Sequence, residues 1–467
     1  MLQVGVGRVD TTPALGLQLA GTQPYPRAEG VKGPLYGRVL VAEDGSRRVA
    51  VVCLDLMALT ADEVVVLRDR LAAKGKLDAA AILVSCSHTH AAPFTFLAGP
   101  AERPDVLGYL DTLHVRLEEA MASAAANLRP AELVVGRTTA PGWAFNRRPI
   151  YADDQVATHG PTWGDGFVAM EDVADEEIQV LLARDLDGTV LGGLVGFACH
   201  PTVMEAQPVY SSDFAGVLVG ELEARFGGVF GFLLGASGDT ANLDPADREP
   251  SRWFGWTHAV AMGRALAGRA DDALATARPV DVRRIAFAVT RLRIPQRRPT
   301  VEQVRLARWY LEEAPADLDE HEFTRRFTGH GYTFYDVPPR ANERHARQLL
   351  GMWEWQRRAG TREVVEEVEI QAVLLGDVAV LAYPVELFTA FGRRLKALSP
   401  FRDTFVATLA NGWHGYAPTV DAFAHGGYEP HLAYQSRLIP AAGDLMTDAA
   451  LARLHHLARR GTSAHGG

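Results

Sequence analysis

Cysteine is scarce: three in 467 residues, Cys53, Cys86 and Cys199, and no C-x-x-C pair. That excludes a disulfide-built scaffold, and the apolar runs around all three are what buried free thiols prefer. No run of about 18 apolar residues occurs, so no membrane span is expected. The N-terminus, "MLQVGVGRVDTTP", has no basic stretch followed by an apolar one, so a cytoplasmic location is expected. Positive charge is in deficit, with 47 Lys and Arg against 57 Asp and Glu and a net charge of −10. Nucleic acid and anionic membrane surfaces are poor partners for such a chain. Internal repeats, low-complexity tracts and Pro/Ser-rich linkers are also missing. The expected partner is a small-molecule substrate, with no nucleic acid and no stable membrane association; the composition is silent on oligomeric state.

What is present is ordinary globular material, 48% hydrophobic and 22% charged. Strand and helix signals alternate along its length. "RRVAVVCLDL" after the turn "EDGS" reads as a buried strand, and "ADEVVVLRDRLAAKG" as an amphipathic helix capped by Thr60 and closed by Gly75. "EIQVLLARD" and "TVLGGLVGFACH" form a hairpin about "LDG"; "VVEEVEIQAVLLGDVAVLAYP" forms another about "GD". "VELFTAFGRRLKAL" reads as a helix with Glu386 at its start. This pattern predicts a mixed α/β fold, one large domain over residues 1–460, with a charged helical excursion at 301–360 and a disordered tail at 461–467.

The chemistry-bearing residues gather where strands run out into loops, the usual place for sites in α/β folds. "LVSCSHTHAAP" puts His88 and His90 at a strand end. Two residues apart on an extended chain, they share a face and suit a metal such as zinc, or equally a local polar network. "GFACHPTVM" repeats the arrangement with His200. "LLGASGDTANLDP" offers Asp239 and Asn242 in a tight turn, either a plain Asx turn or a substrate-facing loop. "LAYPVELF" brings Glu386, which complements a helix dipole or ligates a metal. "LANGWHGYAPT" carries Trp413, His414 and Tyr416, and "AFNRRP" carries Arg147 and Arg148, where a guanidinium can hold an oxyanion or simply face solvent. Asp55 and Asp213 are candidates for orienting imidazoles, or turn and cap residues.

In order, "SHTHAAP", "NRRP", "FACHPT", "GDTAN", "YPVE", "NGWHGYAPT" and "GGYEP" resemble the motifs of the neutral/alkaline non-lysosomal ceramidase family, in its N-terminal catalytic domain. "GVGRVDTTP", "LAGTQ" and "LYGRVLVAEDG" add to the likeness, which spans about Val4 to Asp444. The resemblance implies sheets packed between helical layers. It implies one Zn²⁺ per chain, held by His88, His90, His200, Glu386 and Tyr416, whose activated water attacks an amide carbonyl. It also implies that Arg147 and Tyr428 hold the developing oxyanion. Added to these as a catalytic set are His414, a candidate proton carrier, and Asp239.

Two motifs depart from the family pattern. Its motif serine is Ala241 here, so that role is missing or falls to Thr240 or Ser237, and "HTHSGP" becomes "HTHAAP". A zinc-dependent hydrolase of a small soluble amide or ester is therefore expected rather than a true ceramidase. A metal-dependent phosphoesterase built on Asp55, His88, His90 and Asp239, and a non-catalytic metal-binding relative, are the other readings.

Overall fold

The computed structural model describes residues 1–21, 26–96, 104–329, 340, 342–358, 360 and 363–462. The fold is mixed α/β, in four layers. A nine-stranded sheet runs, from edge to edge, through Val229–Leu234, Val190–Phe197, Glu177–Asp185, Arg129–Thr139, Gln3–Asp10, Tyr36–Glu43, Arg48–Leu54 and Ile82–Cys86, with Arg278–Pro279 paired on Arg129–Thr139. A four-stranded sheet of Ile285–Pro295, Val365–Leu375, Val378–Ala382 and Asp403–Ala407 lies against it.

Side chains alternate across each strand, and here both faces are buried. Val51 and Leu83 join Val373, Val380 and Phe405 between the two sheets. Their neighbours Val52 and Val84 face the other way, into a layer with Leu67, Leu113, Phe214 and Leu266 of the covering helices. This explains why the strands read as continuous apolar runs. Behind the small sheet, Leu374 and Leu381 pack on Phe391 and Met446 of helices Thr389–Leu398 and Ala442–Thr462.

The large sheet is two leaves joined by only two residue pairs, Gln3 with Pro130 and Val4 with Arg129. The leaves diverge from that corner and swing round until the strand Val229–Leu234 meets the opposite leaf. Gly231 makes the approach possible, because a Cβ there would sit 2.5 Å from Cys53 Sγ. Strand ends from both leaves are thereby brought to one place.

Both expected hairpins form, Glu177–Asp185 with Val190–Phe197 and Val365–Leu375 with Val378–Ala382. Thr60 caps its helix by accepting from the Glu63 amide. The same helix closes on Lys76 in the left-handed region rather than on Gly75, which is needed inside because its Cβ would strike Leu77 and Met121. The helix expected over "VELFTAFGRRLKAL" starts only at Thr389. Glu386 and Leu387 are recruited into a short strand beside Tyr416 and Ala417, so Glu386 does not sit on a helix N-terminus.

Residues 301–358 carry the helices Val301–Glu312, Glu320–Thr328 and Glu343–Arg358, with a small core of their own around Tyr310, Phe323 and Leu349. Of the expected disordered tail, residues 461 and 462 close the last helix and the remainder lies outside the described residues.

Candidate metal centre

The strand Ile82–Cys86 breaks two residues before the first imidazole is needed: His88 takes φ +67°. The pair His88 and His90 is thus aimed by a left-handed kink, not by an extended strand. Gly21 gives the neighbouring loop room, since a Cβ there would lie 2.7 Å from that of His90. His200 leaves the other leaf just beyond Phe197. One ring nitrogen from each of His88, His90 and His200 falls within 4.8 Å of the others.

Hydrogen bonds fix which nitrogen faces inward. His88 Nδ1 lies 2.9 Å from the Met57 carbonyl and His200 Nδ1 lies 3.0 Å from the Ser237 carbonyl. A carbonyl only accepts, so both Nδ1 atoms carry the proton and both Nε2 atoms present lone pairs. Those two Nε2 atoms face each other at 2.9 Å. Protonating one ring is a poor escape, because burial first, then Arg147 and the other imidazoles, push the His200 pKa well below its ordinary value. His90 is turned by Glu205 on Nδ1 at 3.2 Å, and its buried Nε2 has no hydrogen-bond partner. Glu386 Oε2, equally orphaned, is 3.5 Å from the Nε2 atoms of both His88 and His200. Buried donor atoms crowded round one point, with no proton between them, form a cradle that fits a cation.

Burial raises the Glu386 carboxyl, whereas a charge on His88, and then hydrogen bonds from Tyr416 and Trp413, would lower it. The Trp413 indole donates to Glu386 Oε1 at 3.1 Å. Burial, then the Glu386 charge, pushes Tyr416 far above an ordinary phenol, so it stands as a neutral hydroxyl. Arg147 Nη2 donates to that hydroxyl at 3.1 Å and to the Gly238 carbonyl at 2.8 Å. The Tyr428 ring meets the Tyr416 ring edge-on at 5.7 Å.

Asp239 lies beneath this group. Its carboxylate accepts from the Thr389 amide and hydroxyl and from Asn146 Nδ2, and its carbonyl accepts from the Arg147 amide. Its bonds therefore hold other residues in place. His414 stands outside the three-imidazole cluster, with Nδ1 on Glu366 at 2.8 Å, in a groove of about 670 Å³ that also has Phe96, Trp355, Trp413 and Arg437 in its walls. Asp55 and Asp213 do not orient the imidazoles. Asp55 binds Arg38 and the Tyr36 amide, and Asp213 binds the Met204 and Phe214 amides. Ala241, at the family's serine position, is buried in a two-residue strand pairing with Phe145. Sequence reasoning missed Glu205 and the two orienting carbonyls, and it passed over Glu429.

Residues 2–229 match the family model described as neutral/alkaline non-lysosomal ceramidase, N-terminal. The sequence likeness to the ceramidase family thus covers just under half of the chain. Across 97% of its length it superposes on the crystal structure of neutral ceramidase from Pseudomonas aeruginosa, with a TM-score of 0.69, 19% identity and 75% of that chain covered. A structure described as ceramidase complexed with C2 matches over 98% of this chain and 75% of its own, with a TM-score of 0.68 and 19% identity. The ceramidase fold therefore extends well past the segment that the family model covers. Among the described residues of this chain, no helix is long and apolar enough to cross a membrane.

Proposed function

We propose that this chain is a metal-dependent hydrolase that cleaves amide bonds of small soluble substrates, with one Zn²⁺ per chain. The facing lone pairs of His88 and His200, 2.9 Å apart, carry the reading. Two nitrogens bound to one tetrahedral zinc, with bonds of about 2.0–2.1 Å, lie about 3.3 Å from each other. His90 Nε2 and Glu386 Oε2 would complete the cradle, with Tyr416 as the remaining candidate ligand. Bound there, zinc would supply a Lewis acid and a water of pKa about 7.

The chain's own residues do the rest. The Met57 and Ser237 carbonyls and Glu205 fix the imidazole orientations. Arg147 and Tyr428 are assigned to the carbonyl oxygen as it gathers charge. Asp239 is assigned a positioning role through Thr389 and Arg147. His414 is assigned to substrate contact in the groove.

The groove also supports a small polar substrate over ceramide. Glu366, Glu367, Arg291 and Arg437 in its walls suit polar groups better than two alkyl chains.

The test is elemental analysis of protein purified without added metal or chelator, beside a His88→Ala/His90→Ala control. About one zinc per chain, lost in the control, is expected, followed by turnover in a panel of amides and esters that includes ceramide. No metal, or equal metal in both proteins, overturns the proposal. Two metals per chain would favour a phosphoesterase, and ceramide as the preferred substrate would favour a true ceramidase. Bound zinc with no turnover would favour a non-catalytic relative.

A further inference from the structure

Between Arg147 and Tyr428 runs a short segment, Val156–His159, that carries no recognisable motif. It is tied down on both sides. The Val156 amide donates to the His425 carbonyl at 2.9 Å, and the His159 amide donates to the Arg147 carbonyl at 2.8 Å. The Thr158 hydroxyl accepts from the Tyr428 amide at 3.1 Å and donates to Glu429 Oε2 at 3.2 Å. His159 is thereby bracketed by the two residues assigned to the oxyanion.

Its backbone is left-handed, at φ +60°. That region is uncommon for a side-chain-bearing residue and costs about 1 kcal/mol or more. Gly160, next in the chain, would have taken such a turn without strain. The half-buried imidazole has no hydrogen-bond partner among the described residues, unlike the three rings of the metal cradle. The charges that face it are Arg147, Glu429 and Glu205, and Glu205 is the carboxylate on His90. The residue therefore stands beside Arg147 and the segment that carries Tyr428, within electrostatic reach of the carboxylate that turns His90.

We propose that His159 is the proton carrier of the hydrolysis, an inference that rests on the function proposed above. As the oxygen of the attacking water bonds to the carbonyl carbon, the π pair moves onto the carbonyl oxygen and the water proton passes to the imidazole. As the C–N bond breaks, the same proton passes to the departing nitrogen, giving a carboxylic acid and an amine. Burial, and then the Arg147 charge, lower this imidazole's pKa to about 4, so it is neutral at pH 7.

His159→Gly removes the ring without straining the left-handed turn, and His159→Asn keeps a side chain that tolerates it. Both variants should hold metal and melt like the parent. Both should lose about 10²–10⁴-fold in kcat with little change in KM. Added imidazole should restore part of the glycine variant's turnover, which a purely structural role would not permit. Full turnover in either variant, or loss without rescue, overturns the assignment. If the metal-loaded parent turns over nothing, the proposed function fails on its own, and binding of acetohydroxamate decides the position of His159. Affinity at least tenfold weaker in His159→Gly supports the placement of His159, and equal affinity overturns it.

Discussion

Arg147 reaches the candidate site with two of its three nitrogens engaged: Nε on Glu429 Oε1 at 2.8 Å, and Nη2 on Gly238 and Tyr416. Glu429 is completely buried, and its other oxygen takes Arg148 Nη1 at 2.6 Å. Burial would raise the Glu429 carboxyl, but the two guanidinium groups more than offset this and hold it below the usual range. Glu429→Gln would leave both buried guanidinium groups facing a neutral amide. A buried pair broken on one side costs about 3–5 kcal/mol, and the aim of Arg147 would loosen with it. Glu429→Gln and Arg147→Ala are both expected to retain metal and to lose turnover mainly in kcat, as parallel metal analysis and steady-state kinetics would show. Metal loss in Arg147→Ala would make that arginine structural. Arg147 was legible because a paired arginine before a proline is a local pattern. Glu429 was not, since its partners are 281 and 282 residues away in the chain. The carbonyls of Met57 and Ser237 leave no trace in any side chain.

Strands and hairpins were the most readable part of the fold, because runs such as "RRVAVVCLDL" are apolar on both faces and their turns carry Asp-Gly or Gly-Asp. The start of the helix after Pro384 was misplaced because pairing with Tyr416 and Ala417, a contact between distant segments, outweighs local helix preference there. Asp44, in the turn "EDGS", shows a tie between sheets that the turn signal hides. Its Oδ1 accepts from Ser46 and Arg47, while its Oδ2 reaches the Ile285 amide of the second sheet at 2.6 Å. Burial would raise this carboxyl, but the bonds from Ile285, Ser46 and Arg47 lower it to about 2. A carboxyl depressed in the folded state stabilises above its unfolded pKa of about 4 and loses that contribution as pH falls toward 2. The group is partly exposed to solvent, so screening cuts its worth to about 1 kcal/mol. Asp44→Asn should therefore be less stable than the parent by about that amount at pH 7. The gap should close between about pH 4 and pH 2, read from urea midpoints. A constant gap across that range would mean that the bond to Ile285 does not depend on the charge.

The candidate ligands come from three separately supported pieces of the fold: His88 and His90 from one leaf, His200 from the other, and Glu386 from the connection between the strands Val378–Ala382 and Asp403–Ala407 of the second sheet. The leaves share only two residue pairs, so little backbone bonding holds the far strand ends together. A cation at the cradle would cross-link them where that bonding is weakest. Without it, the two Nε2 lone pairs 2.9 Å apart repel, and the ends gain by separating. A ligand that binds only the folded state stabilises it by about 4 kcal/mol at a free concentration 1,000 times its Kd. Stripping the protein with a chelator should therefore lower Tm by several degrees and raise amide exchange around residues 86–92 and 198–202. The amides of Ile178–Leu182, deep in one leaf, should stay protected. The His88→Ala/His90→Ala protein should melt at one temperature with or without chelator. If the unmodified chain does so too, nothing bound at the cradle joins the leaves, and packing between Gly231 and Cys53 must be enough to hold the strand ends together.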